Sequence, residues 1–172
     1  MSELRTNRIV PRDGLATGTN GGIIQVVQNV QGLGQVNSNS YGNQTEYDLG
    51  LNCTITPHRS DSKILINANL AAIGKGSFYP NFYLNRGTTH IHEYQTYMNQ
   101  NDWAVFYPNM VFLDSPSTTS AVTYKVTGKI IDVSGGDLRT NYNQTNSDDT
   151  TVHGELTGYG SRSTIILMEI SG

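Results

Sequence analysis

One short cluster in this 172-residue chain has the residue types of a metal site. His90, His92 and Glu93 lie within four positions of each other, and neutral imidazoles are good ligands for transition metals. If the segment is a strand, His90 and His92 share a face, because strand side chains alternate. A metal site would need a third ligand in addition to these two, for example from a symmetry-related copy of the chain. We therefore favour an exposed polar pair, and we expect no bound metal and no cofactor.

A second cluster offers oxygen ligands of the kind that Ca²⁺ prefers. Asp148 and Asp149 lie beside Asn143, Asn146 and Thr150. Their spacing does not fit the loop of an EF-hand, so a solvated polar loop is the better interpretation.

Catalytic motifs are not indicated. Gly158-Tyr159-Gly160-Ser161 lacks the central serine of a nucleophile elbow. Enzymes that cleave polysaccharides use paired carboxylates, whereas the acidic residues here are scattered and lie mostly at expected turns. The sequence therefore predicts a protein that is not an enzyme.

An aromatic and polar cluster near the middle of the chain predicts a recognition surface. Its members are Tyr94, Tyr97, Asn99, Asn101 and Trp103. Flat rings stack on the C–H faces of sugars while amides bind hydroxyl groups, and the same rings also suit protein contacts. The alternative for Trp103 and the nearby Tyr107 is that they enter the core where the next strand begins.

The composition favours strands as the elements that position these residues. Charged residues make up only 15% of the chain and hydrophobic residues 36%, which is too little charge for a typical disordered chain. Helix formers such as Ala, Glu and Lys are scarce, whereas turn formers and strand formers are abundant. We expect seven to ten strands in an antiparallel β-sandwich of the jelly-roll type.

Charge, cysteine content and hydropathy exclude several classes of protein. A net charge of −3 argues against a nucleic-acid partner, because such binding needs a cationic surface. The single Cys53 excludes an internal disulfide framework. No segment is apolar enough for a signal peptide or for membrane insertion, so synthesis in the cytoplasm is expected.

Residues 63–73 form the clearest predicted strand. Ile64, Ile66 and Ala68 fall on one face, and Lys63 and Asn67 on the other, which indicates one buried face. Residues 74–76, Gly-Lys-Gly, predict a turn before a further strand over residues 78–86. Pro80 indicates an edge or a bulge at the start of that strand.

The closing strand, residues 163–170, has apolar residues on both faces. We expect Ile166, Met168 and Ile170 to face the core, which leaves Ile165 and Leu167 facing outward. Two-sided apolarity predicts that the second face is covered as well. A neighbouring subunit is the favoured cover, and a folded-back N-terminal segment is the alternative. Aromatic side chains on the other strands extend the expected interface, which comprises Tyr79, Tyr83, Tyr124, Ile165 and Leu167.

The first 22 residues predict an extended N-terminal arm. They contain Pro11 and several glycines but few apolar positions, so they have little to bury. The expected organisation is an arm over residues 1–22 and a β domain over residues 23–172.

Three segments resemble structural domains of tailed phages, found in tail-fibre and related virion proteins of marine and cyanobacterial phages. They are LDSPSTTSAVTYKV (113–126), SRSTIILMEI (161–170), and SKILI (62–66) followed by FYLNRG (82–87). The opening LRTNRIVP (4–11) resembles the leader of such proteins more loosely. The motifs are specific as a set and weak singly.

The resemblance implies a C1q/TNF-like jelly roll that trimerises about its inner sheet, with the closing strand in the centre of that sheet. It also implies a homotrimer located on the virion, where other capsid or tail proteins are its partners. Leu4, Ile9, Val10 and Pro11 would then attach the arm, and the head would bind, with a host surface glycan as one candidate ligand. A short fibre, a tail fibre and a capsid decoration all fit. The alternative function is that of a soluble carbohydrate-binding module.

Overall fold

The computed structural model describes residues 22–31, 37–39, 45–131, 137–140 and 162–172. These residues form eleven strands. They are β1 (Ile23–Val30), β2 (Asn37–Asn39), β3 (Tyr47–Ile55), β4 (Lys63–Asn69), β5 (Ala72–Arg86), β6 (Thr89–Gln95), β7 (Met98–Phe106), β8 (Asn109–Asp114), β9 (Val122–Ile131), β10 (Asp137–Thr140) and β11 (Thr164–Ile170).

The strands pair antiparallel in two sheets. The four-stranded sheet has the order β1-β11-β4-β8, and the seven-stranded sheet has the order β2-β10-β5-β9-β3, with β6 and β7 also paired to β5. Successive strands such as β3, β4 and β5 alternate between the sheets. The expected all-β sandwich of jelly-roll type is therefore confirmed, and β11 is an interior strand of its sheet, as the resemblance implied.

The core lies between the two sheets. The four-stranded sheet contributes Ile64, Ile66 and Leu167, and the other sheet contributes Phe82 and Leu84, all fully buried. The predicted alternation of residues 63–69 is confirmed, because every second side chain from Ile64 to Ala68 is buried. Burial of these side chains gives the main driving force that holds the sheets together.

The closing strand is apolar on both faces, but the predicted facing is wrong. Ile165 and Leu167 are fully buried in the core, whereas Ile166, Met168 and Ile170 are only half-buried on the outside. Glu169 lies on the same inner face as Ile165 and Leu167 and is itself fully buried, although charged residues normally lie on the outside.

The predicted turn at residues 74–76 is also wrong. The chain turns earlier, at Leu70 and Ala71, and Gly74 to Gly76 lie inside β5, where the register with β7 shifts. Gly76 adopts a φ of 103°, which a residue with a side chain rarely tolerates. The two glycines therefore mark a β-bulge.

Pro80 lies where β5 changes neighbours. The first half of β5 pairs with β7, and the second half pairs with β6. Between the two, the Thr96 N–H donates to the Pro80 carbonyl at 3.2 Å. A proline has no N–H to offer a neighbouring strand, so this change of neighbours accommodates it.

A buried polar network joins the sheets at one end. The Tyr124 hydroxyl donates to Asp114 Oδ2 at 2.7 Å, and Arg86 Nη1 donates to Asp114 Oδ1 at 2.9 Å. Both the burial of Tyr124 and the Asp114 carboxylate raise the pKa of the phenol. Tyr124 therefore stays protonated and serves as a hydrogen-bond donor.

Candidate functional site

The outer face of the four-stranded sheet is largely apolar. Its apolar side chains, which we call the apolar face, are Ile23, Val26, Val30, Leu65, Val111, Leu113, Ile166, Met168 and Ile170. Residues on this face alternate with buried core residues in β4, β8 and β11. The sheet thus presents apolar side chains on both sides.

One row of the apolar face crosses all four strands without a polar residue. Val26 pairs with Met168, Met168 with Leu65, and Leu65 with Leu113. Val26 is 57% exposed, Val111 53% and Leu113 47%. Contiguous apolar patches of this kind on a protein surface usually mark an interaction site.

The same sheet becomes polar toward one end. Thr164 pairs with Asn69, and Asn69 pairs with Asn109. Asn109 Nδ2 donates to Asn67 Oδ1 at 3.2 Å. We call Asn67, Asn69 and Asn109 the amide cluster.

The five residues predicted for a subunit interface do not share a surface. Ile165, Leu167 and Tyr124 are buried in the core, so their side chains are not available to a neighbouring subunit. Tyr79 and Tyr83 lie on the outer face of the seven-stranded sheet instead. The residues that sequence reasoning assigned to the core in β11, namely Ile166, Met168 and Ile170, are those that face outward.

The outer face of the seven-stranded sheet is aromatic and polar. The rings of Tyr79 and Tyr97 lie 4.8 Å apart at an angle of 35°; Tyr79 is 39% exposed and Tyr97 52%. Beside them, Ser77 Oγ donates to Asn99 Oδ1 at 2.9 Å. We call these four residues the tyrosine patch. It places two ring faces beside the hydroxyl of Ser77 and the amide of Asn99.

Farther along β5, a hydrogen-bonded cluster covers the same face. The His90 ring stacks on Tyr83 at 4.3 Å, and Lys129 Nζ lies 5.3 Å from the centre of the Tyr83 ring. His90 Nε2 lies 3.1 Å from Glu46 Oε1, which also accepts from the Thr127 hydroxyl. Burial opposes ionisation of Glu46, but the hydrogen bonds from Thr127 and His90 hold its pKa below its usual range.

His90 and His92 do not share a face, contrary to the prediction. A β-bulge shifts the register so that His92 lies opposite Leu84 and His90 opposite Asn85. His92 consequently stacks on Phe112 at 5.6 Å, while His90 stacks on Tyr83. Within the described ranges, no three His, Cys, Asp or Glu side chains come together as metal ligands.

The predicted recognition residues are divided by the fold. Tyr94 faces inward, where its ring lies 6.4 Å from that of Phe82, so its assignment to a recognition surface is wrong. Tyr97 and Asn99 lie on the outer face. Asn101 and Trp103 belong to β7, but their side chains lie outside what the structure describes. Tyr107 is exposed and does not enter the core.

A buried carboxylate that sequence reasoning missed lies at the end of β11. Glu169 is fully buried, and its Oε1 accepts from the His58 backbone N–H at 2.8 Å. Gln25 Nε2 donates to Oε2 at 3.3 Å. Burial opposes ionisation, but the bonds from His58 hold the pKa of Glu169 below its usual range. His58 is 111 residues away in sequence, so no local pattern signals this pair.

Two predicted features lie outside the described residues. They are the attachment residues Leu4, Ile9, Val10 and Pro11, and the Asp148–Asp149 pair. Among the residues that are described, no helix has the length and apolarity needed to span a membrane.

Comparison with known proteins gives matches of structure only. No protein-family model matches the sequence, and no curated protein matches it either. The VP2 subviral particle of infectious bursal disease virus is similar with a TM-score of 0.40 and 12% identity, over 97% of this chain and 43% of that chain. A mutant VP2 of the same virus in T=1 particles gives 0.41 and 12%, over 96% and 40%. The chain thus spans less than half the length of these proteins.

Proposed function

We propose that this protein is a non-enzymatic structural component of a virion, a trimeric appendage that docks through its N-terminal arm and presents a binding head. A short fibre, a tail fibre and a head decoration all fit this role. The observation that carries the proposal is the apolar face. The resemblance of three sequence segments to tailed-phage structural domains supports the virion location.

The apolar face supports assembly for a physical reason. Four strands at a spacing of about 4.8 Å and three rows of outward residues give a face of roughly 20 by 20 Å. Leaving such a surface in water is unfavourable, and covering it with an equivalent surface recovers about 25 cal/mol per Å² of apolar area. The occupant we propose is another copy of this chain, because most soluble oligomers are closed assemblies of identical subunits.

The contacts of the two buried carboxylates among the described residues support a role without catalysis. Asp114 accepts from Tyr124 and Arg86, and Glu169 accepts from His58 and Gln25. Each carboxylate therefore serves as an anchor for neighbouring strands. A general acid or base would instead need reach to a substrate.

The arm is proposed as the attachment segment because of where the domain begins. The Ser171 N–H donates to the Gly22 carbonyl at 2.9 Å, so the chain enters β1 beside the end of β11. We propose that Leu4, Ile9, Val10 and Pro11 contact other virion proteins. The tyrosine patch is proposed as part of the binding head, because assembly through the apolar face leaves the outer face of the seven-stranded sheet exposed.

The proposal is tested with the full chain and with a chain that lacks residues 1–21, which keeps Gly22. Sedimentation equilibrium is expected to give three times the chain mass for both proteins. Electron microscopy of virus particles incubated with either gold-labelled protein is expected to show decoration by the full chain and none by the truncated chain. A monomer at micromolar concentration would contradict the assembly, and decoration by the truncated chain would contradict attachment through the arm.

A soluble carbohydrate-binding module is the second candidate, and the Tyr79–Tyr97 pair favours it. Two exposed rings beside amide and hydroxyl groups form a surface on which a sugar can stack. A monomeric mass together with saturable oligosaccharide binding, lost in Tyr97→Ala, would favour this function over the first.

A further inference from the structure

We propose that the free edge of β3 is a latent pairing surface for β3 of another copy of the chain, and that amide side chains at β1 keep this edge closed. The inference goes beyond the proposed function and does not depend on the apolar face. It accounts for how copies can associate through one face without also joining their sheets edge to edge.

β3 is an edge strand of the seven-stranded sheet. Among the described strands it pairs only with β9, so its other edge offers backbone N–H and C=O groups to any strand that comes alongside. Edge strands are commonly protected by lysine, by proline or by a bulge. β3 contains neither lysine nor proline. Its bulge lies between Asp48 and Leu51, which leaves the half from Leu51 to Ile55 regular.

Two side chains of β1 donate hydrogen bonds to this edge. Gln25 Nε2 lies 3.0 Å from the Thr56 carbonyl oxygen, and Asn29 Nδ2 lies 2.6 Å from the Asn52 carbonyl oxygen. The two donors and the two acceptors are spaced alike but in opposite order, so β1 runs antiparallel alongside β3. The backbone of β1 pairs with β11 in the other sheet. Its side chains therefore take the place of a neighbouring strand at the edge of β3.

The residue that follows β1 closes the irregular half of the edge. Gln31 is only 4% exposed, and its Nε2 donates to the Leu49 carbonyl at 2.9 Å. Gly50 has a φ of 73°, and a Cβ added to it would lie 3.0 Å from Gln31 Nε2. Glycine at this position therefore leaves room for the glutamine side chain. We call Gln25, Asn29 and Gln31 the clasp.

The edge beneath the clasp is self-complementary. Asn52 and Thr56 direct their carbonyls toward β1, and backbone groups alternate in direction along a strand, so Thr54 faces the same edge. If two copies of β3 pair antiparallel about Thr54, Asn52 of each copy lies opposite Thr56 of the other. The outward groups of all three residues then bond reciprocally. Their side chains are uncharged, so this pairing brings no like charges together.

The test removes donors of the clasp and detects edge pairing by a disulfide. Asn29→Ser removes one donor without adding charge or apolar surface, and Gln25→Ser/Asn29→Ser removes two. Both are made in Thr54→Cys protein, in which paired edges place two thiols opposite each other. Thr123→Cys is the matched control, because the Thr123 hydroxyl lies 2.8 Å from that of Thr54 but belongs to β9. Gln28→Ser is the control on the outward side of β1.

Mild oxidation followed by non-reducing electrophoresis measures the rate at which two chains become linked, and circular dichroism melting identifies the folded variants. We expect slow linking through Thr54→Cys when the clasp is intact and in Gln28→Ser. Each donor removed should raise the rate roughly fivefold, as expected for the loss of one hydrogen bond. Linking through Thr123→Cys should stay slow throughout.

Equal rates at Thr54→Cys with and without the clasp in folded proteins would overturn the inference. Equal acceleration at Thr54→Cys and Thr123→Cys would overturn it as well, because it would show association without edge pairing.

Discussion

His58 Nδ1 lies 2.8 Å from Oε2 of Glu169, so a half-exposed imidazole ring contacts a fully buried carboxylate. The His58 backbone N–H bonds the other carboxylate oxygen. The loop between β3 and β4 is thereby fixed to the end of β11, the strand that carries both the core and the apolar face. Burial of an ionised group is tolerated only with such partners.

Glu169 makes the stability of the fold depend on pH. Its pKa in the folded protein lies below the ordinary value of 4.5, so the unfolded chain takes up the proton first as the pH falls. The stabilisation is complete above about pH 4.5 and is lost as the pH falls through the lower folded pKa. Urea unfolding is measured from pH 3 to 7. The free energy of unfolding should fall less steeply toward acid pH in Glu169→Gln than in the parent protein.

Glu46 and Asp61 also have lowered pKa values, so the parent protein loses stability in acid for more than one reason. The comparison of the parent with Glu169→Gln isolates the one carboxylate. If the free energy of unfolding fell equally steeply with pH in both proteins, the proposed contribution of Glu169 would be contradicted.

Tyr124→Phe removes the hydroxyl that donates to Asp114 and leaves the carboxylate with Arg86. Hydrogen bonds to charged groups contribute about 1.5–3 kcal/mol, and we expect a loss of that size in the free energy of unfolding. Tyr97→Phe is the control, because that ring is exposed, and it should change stability by less than about 0.5 kcal/mol. Equal stability of Tyr124→Phe and the parent would refute the network.

Strand alternation could be predicted from the sequence wherever one face is apolar and the other polar. Residues 63–69 are such a case, and their facing is confirmed. In β11 both faces are apolar, and the only charged residue is Glu169. A charged residue normally marks the outside, so that cue pointed the wrong way, because its partner His58 is supplied by a distant loop.

Register shifts are the second limit on prediction. A bulge opposite Leu84 and Asn85 puts His90 and His92 on different faces of β6. A second bulge, in the pairing of β5 with β7, contains Gly74 and Gly76, the glycines that predicted a turn. A single extra residue reverses every later side chain in a strand. The sequence of one strand does not contain that information, because it depends on the pairing partner.

Leu167→Asp and Met168→Asp should have opposite consequences although the residues are adjacent. Leu167 is fully buried, so a carboxylate there should cost more than about 3 kcal/mol and abolish folding. Met168 faces outward, and its replacement should preserve the fold and weaken assembly. Circular dichroism melting distinguishes the two; a cooperative melt of Leu167→Asp at the parent temperature would contradict the facing of β11.

Cys53 should be unreactive in the folded protein. It is buried, and burial raises the pKa of its thiol, whereas thiol reagents attack the exposed thiolate. We expect Ellman's reagent at pH 8 to label it slowly in buffer and within the mixing time in 6 M urea. Immediate labelling in buffer would show that β3 is open.

The most direct test of the apolar face compares two exposed strand valines that lie on different sheets. Val111 is 53% exposed on the four-stranded sheet and Val105 is 59% exposed on the other, and both belong to β-strands. Sedimentation equilibrium of Val111→Asp and Val105→Asp measures their masses under identical conditions. We predict a folded monomer for Val111→Asp and an unchanged trimer for Val105→Asp; a trimer for Val111→Asp, or dissociation by both substitutions alike, would contradict assembly through this face.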